Sequence, residues 1–116
     1  MSNELARRAV ACKGWQWMAG MLTLEGYRLD NSGRLKAEQQ GDQLPDLNDP
    51  ATVGCLVALV RKAWGEPTAH AVPFSDGTWY VQGKYIDDEH GHGDTEAEAL
   101  VRALEFKDPD DDWYVQ

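Results

Sequence analysis

The sequence predicts an α+β fold: an antiparallel sheet sandwiched by helices, in the order α-ββ(β)-α-ββ-α. Three observations carry that prediction. Asp49-Pro50 opens a run with apolar residues at helical spacing that stops at Gly65. Asp76-Gly77 sits between two β-rich runs. Thr95-Glu96-Ala97-Glu98 is a capping box in front of a second apolar helical stripe.

The elements follow in chain order. Residues 3–12 read as a short first helix, with Asn3 as its cap, Leu5, Ala6, Ala9 and Val10 on one stripe, and Gly14 as its stop. Trp15, Trp17, Ala19 and Met21 then recur at period two, which reads as a strand. Gly26 turns the chain into a second strand, Tyr27 to Asp30. Asn31-Ser32-Gly33 is a turn signal, Arg34 to Gln39 a short polar edge strand, and residues 40–48 a loop.

The helix over residues 50–64 is the clearest element. Asp49 suits the cap, Pro50 the first helical position, and Val53, Leu56, Val57, Val60 and Trp64 recur at helical spacing. Arg61 and Lys62 fall at its C-terminal end, where cations oppose the helix dipole. Gly65 and Pro67 end it. His70–Phe74 and Thr78–Ile86 form a hairpin, with Pro73 placing the first of the two at a sheet edge. Residues 87–94 read as a polar loop. The last helix runs over 96–106, with Ala97, Leu100, Val101 and Leu104 on its apolar face. Residues 1–107 thus make one α+β domain, and residues 108–116 an acidic tail with an apolar end, Trp113-Tyr114-Val115.

The charge is polarised. The 116 residues carry 11 Lys+Arg against 20 Asp+Glu, for a net −9. Residues 87–98 hold six acids and no base, and residues 105–116 a net −4, whereas residues 1–36 carry +3. A general DNA-coating protein needs a basic face, so direct DNA binding is not expected. With 42% hydrophobic residues, the chain is too apolar for intrinsic disorder. No apolar run approaches the roughly 18 residues of a membrane span. The N-terminus lacks the apolar segment of a signal peptide, so a cytoplasmic location with Cys12 and Cys55 reduced is expected.

Reaction chemistry is not visible. There is no nucleophile elbow, phosphate loop or dinucleotide fingerprint. His90 and His92 stand among Asp87, Asp88, Glu89 and Asp94, but without the helical spacing of a zincin or the ordered acids of a calcium loop. No metal, cofactor or enzymatic activity is therefore expected. Trp15 and Trp17 read first as core, and in the functional alternative as a stacking platform for a base, with Arg7, Arg8, Lys13 and Arg28 to meet phosphates. Of Trp79 and Tyr80, one faces the core and the other away. Tyr80, Lys84 and Tyr85 then offer a second polar–aromatic patch.

The run Gly14–Met21, the segments Leu44–Leu47 and Asp49–Leu56, Trp79-Tyr80-Val81, and Thr95–Leu100 together resemble the small phage and prophage proteins of the phage ABA sandwich type. The likeness spans most of residues 5–105. It implies helices on both sides of a sheet and brings no catalytic residues with it. It also implies a phage accessory protein acting in the host bacterial cytoplasm against host defence. Two mechanisms fit that expectation, the first favoured because the basic charges gather where the aromatics do, and a phage housekeeping protein that is neither is the blander reading. One is a homo-oligomeric sponge that sequesters a nucleotide immune signal without cleaving it, through Arg7, Arg8, Lys13, Trp15, Trp17, Arg28, Tyr80 and Lys84. The other is an acidic inhibitor of the anti-CRISPR kind that binds a host defence protein through Asp87, Asp88, Glu89, Asp108, Asp110, Asp111 and Asp112.

Overall fold

The structure, a computed structural model, describes residues 3–29, 44–83 and 91–106. The turn at Asn31-Ser32-Gly33, the polar strand after it, Lys84, Tyr85, the run Asp87-Asp88-Glu89-His90 and the tail from Asp108 onward lie outside the described residues.

The chain is α+β. Among the described residues it builds three helices and a three-stranded antiparallel sheet packed against helices. Helix α1 spans Glu4–Ala11, α2 Pro50–Trp64 and α3 Glu96–Phe106. The strands are β1 (His70–Pro73), β2 (Trp79–Gln82) and β3 (His92–Gly93), in the spatial order β1-β2-β3.

Local chemistry accounts for the helix ends. Asp49 accepts a hydrogen bond from the Thr52 backbone N–H, and Pro50 fills the first position, where no N–H partner is needed. Gly65 closes α2 in the left-handed region, at φ 66°, a conformation that costs glycine least. Thr95 Oγ1 accepts from the Glu98 backbone N–H and starts α3.

The hairpin forms as the Asp-Gly signal predicts. Gly77 sits at φ 90°, Asp76 accepts from the backbone and hydroxyl of Thr78, and Phe74 and Thr78 close the turn. Pro73 lies on the edge strand, opposite Trp79.

α3 lies at the centre. It packs on all three strands, and α1 and α2 both pack on α3, while α2 reaches the sheet only at β1. Ala97, Ala99, Leu100, Val101, Ala103 and Leu104 are all buried, so this helix is covered nearly all round. Val81 from the sheet and Leu56, Leu59, Val60, Ala63 and Trp64 from α2 complete the core around it. The Trp64 indole N–H donates to the Ala103 carbonyl at 2.9 Å and ties the two helices together. No helix of the described residues is long and apolar enough to cross a membrane.

Four expectations need correction. Asn3 precedes α1, but its side chain makes no capping bond, and the helix ends at Ala11, with Cys12 already extended and short of Gly14. Trp15 to Met18 do not form a strand. Trp15 N–H folds back onto the Cys12 carbonyl, and Trp15 and Trp17 meet edge to face instead of standing in a row on a pleated face. Tyr27–Leu29 pair with the chain in a narrow ribbon that starts only at Gly20. Its bonds join Gly20 to Leu29, Met21 to Leu29 and Thr23 to Tyr27, and its bridges are the isolated pairs Leu22–Arg28 and Thr23–Pro45. Lastly, His92-Gly93 is a strand and not part of a loop, because Tyr80 and Trp79 offer it a free edge of β2.

Candidate functional site

Two of the guanidiniums expected to meet a nucleotide, those of Arg8 and Arg28, are held by carboxylates of the chain. Arg7 is exposed on α1. Arg8 is committed to Glu105 of α3 by two bonds, Nε at 2.9 Å and Nη2 at 2.6 Å. That pairing raises its pKa above the ordinary guanidinium value. Arg28 is committed to Asp49 and to the Gly20 carbonyl. Lys13 is exposed, just beyond α1, and Lys84 lies outside the described residues.

The aromatics divide as well. Trp15 and Trp17 are half-buried, pack against the core and contact each other at 5.4 Å and 86°. The Trp15 indole N–H is buried and has no hydrogen-bond acceptor among the described residues. Trp79 faces the core, as period two requires once Val81 is buried. Tyr80 therefore faces the other side of the sheet. There it stacks on Phe74 at 4.3 Å, and Phe74 stands 6.0 Å from His92. His92 Nε2 lies 3.1 Å from Thr78 Oγ1, whose own neighbour is Asp76. Those hydroxyl and backbone bonds hold the Asp76 carboxyl below its ordinary pKa.

Both thiols are hindered. Burial pushes Cys12 up to about 11, helped by the charge of Glu105, and burial raises Cys55 as well. No group of three potential metal ligands exists among the described residues.

A concave feature among the described residues lies elsewhere, where the starts of all three helices meet. A cleft of about 690 Å³ opens between α1, the 20–29 ribbon, the segment 44–48, α2 and α3. Leu5 and Ala6 come from α1, Leu24 from the ribbon, Pro45 and Leu47 from the segment, Val53, Gly54 and Val57 from α2, and Ala97 from α3. Asp46, Glu96 and Glu98 stand among them, and no Lys or Arg does among the described residues. Leu24 is 45% exposed. The volume falls within the range of sites that hold a ligand or a few side chains of a partner.

The ribbon wall of this cleft is fixed by one polar chain. Leu22 N–H donates to Thr52 Oγ1, Thr52 Oγ1 donates to Asp49 Oδ2, and Arg28 holds the same carboxylate. Asp46 is anchored in turn, its N–H donating to the Leu22 carbonyl and its carboxylate accepting from the Asn48 N–H.

None of the described residues singled out from sequence as nucleotide contacts lines the cleft. Its walls come from four separate stretches of the chain, so no local spacing announces it. The signal that was present is Val53 and Val57. They belong to the apolar stripe of α2 yet stay half-buried, while Leu59 and Ala63 take the core positions beside them.

No protein-family model, no curated protein and no solved structure matches the chain.

Proposed function

We propose that the protein is a small accessory binding protein, of the phage type its sequence resembles, that engages a host defence protein through its acidic surface. The observation that carries this reading is the cleft: an apolar floor, three carboxylates beside it and no cation among the described residues of its lining. Such a lining repels phosphates and suits a basic partner. The commitment of Arg8 to Glu105 and of Arg28 to Asp49 supports the same choice, because both guanidiniums are already neutralised within the chain. Binding without turnover, action in the host cytoplasm and a second helical layer over the sheet belong to this reading.

The test is a plaque assay in bacteria carrying a defence system that the protein counteracts. Protection of the phage should be lost when Asp46, Glu96 and Glu98 are changed together to Asn, Gln and Gln. Protection that survives this change and tracks instead with Trp15 or Arg7 overturns the reading.

A second reading has one observation in its favour. The Trp15 indole N–H, on a ring packed edge to face with Trp17 and without an acceptor among the described residues, is the donor a nucleotide acceptor would satisfy. On that reading a homo-oligomer sequesters a nucleotide signal intact. A rise in Tm with a cyclic di- or trinucleotide or an ADP-ribose derivative, with the ligand recovered unchanged, would establish it over the first.

A further inference from the structure

We infer that the cleft at the helix starts is a docking groove for a short basic and apolar segment of a partner protein, in which one or two Lys or Arg flank aliphatic side chains. This rests on the protein-binding reading and names the chemistry of the occupant.

The apolar part of the match comes from Leu24, Val53 and Val57, whose side chains are left partly in water by the fold itself. A partner's aliphatic side chain laid against them removes that surface from water, at about 25 cal/mol for each Å² covered.

The charge of the occupant follows from a comparison of two opposed effects. Three helix N-termini open on the cleft, and each contributes roughly +0.5 of a charge. Asp46, Glu96 and Glu98 bring three full negative charges to the same space. Among the described residues the rim is therefore net negative by roughly 1.5 charges, which selects a cation over an anion. The helix ends moderate the acids without reversing them.

Gly54 makes the groove testable. It lies in the middle of α2, lines the cleft, and a Cβ built on it meets nothing within 4 Å. Gly54→Leu therefore fills the groove from a helical position that any residue adopts, without touching the core.

The experiment titrates the isotope-labelled full chain with a short amphipathic leucine–lysine peptide and follows the amide spectrum. A peptide with glutamate in place of each lysine is the control. The expected result is shift changes confined to residues 3–6, 22–24, 45–57 and 95–98, with affinity falling as salt rises. Gly54→Leu should abolish these changes while its melting temperature stays at or above that of the parent. Glu96→Gln with Glu98→Gln should weaken binding by about tenfold. Shift changes that map elsewhere, or that persist in Gly54→Leu, overturn the groove. If they map elsewhere and remain salt-sensitive, the acidic-surface reading stands and only the groove falls. If the peptide fails to bind and an intact nucleotide raises the melting temperature, both fall together.

Discussion

Arg28 grips Asp49 with two nitrogens, Nη1 to Oδ2 at 3.1 Å and Nη2 to Oδ1 at 2.9 Å, and Asp49 is at the same time the cap of α2. One carboxylate thus joins the ribbon to the helix that forms much of the core. The Arg28 bond is the largest cause of its depressed pKa, and the Thr52 bonds add to it, so the folded value lies below the ordinary carboxylate range. A depressed carboxyl contributes stability that is complete above its unfolded value, about 4, and is lost as pH falls through its folded value. Asp49→Ala should therefore lower the melting temperature at neutral pH, and more than Arg28→Ala does, because it also leaves the Thr52 N–H without its acceptor. The gap between parent and Asp49→Ala should close on acidification below about pH 4. Melting curves at a series of pH values check both statements.

Two glycines predict opposite outcomes. Gly54→Ala replaces a residue in the open middle of α2 and should stabilise the protein by about 0.5–1 kcal/mol. Gly93→Ala puts a Cβ 2.7 Å from the Ala99 backbone nitrogen, where β3 lies on α3, and should cost about 1–3 kcal/mol. Urea unfolding of the two variants beside the parent gives both numbers.

The two indole N–H groups form a second contrasting pair. Trp64 is 2% exposed and its N–H is bonded to Ala103, so Trp64→Phe should cost about 1–3 kcal/mol through the orphaned carbonyl and the lost volume. The Trp15 N–H is buried with no acceptor among the described residues, so Trp15→Phe removes an uncompensated donor and should leave stability unchanged or raise it. Denaturant midpoints decide this. A large loss at Trp15 would mean that its N–H is satisfied in solution.

Cys12 should resist alkylation at neutral pH. Its thiol is pushed up to about 11 and donates to the Arg8 carbonyl at 3.3 Å, so little thiolate is present below about pH 9. Mass spectrometry after timed iodoacetamide exposure should find Cys12 modified slowly, with the rate climbing through alkaline pH. Glu105→Gln removes a neighbouring negative charge and should bring the onset to lower pH.

Much of the fold is legible in the sequence where a local signal and the tertiary demand agree. Asp49-Pro50 and Gly65 mark α2, Thr95 marks α3, and Asp76-Gly77 marks the hairpin, because caps and turns are settled by neighbouring residues. Period two at Trp15 and Trp17 misleads, since it reports alternation but not whether a neighbouring chain offers a ladder. Their packing on the core and on each other takes the place of pairing. β3 is missed for the reverse reason: a His-Gly pair has no strand propensity, and β2 imposes the conformation on it. The candidate site is almost silent in the sequence. Leu24, Asp46, Val53 and Glu96 come together only after α3 has docked, and the conspicuous arginines are spent on Glu105 and Asp49.

The central place of α3 has a consequence for synthesis. Residues 96–106 are the last described element to leave the ribosome, and the sheet, α1 and α2 all pack against them. Until they emerge, the earlier elements have no shared partner and their apolar faces stay wet. A nascent chain halted before Glu96 should thus be a substrate for proteases and chaperones, and the domain should reach its resistant state in one late step.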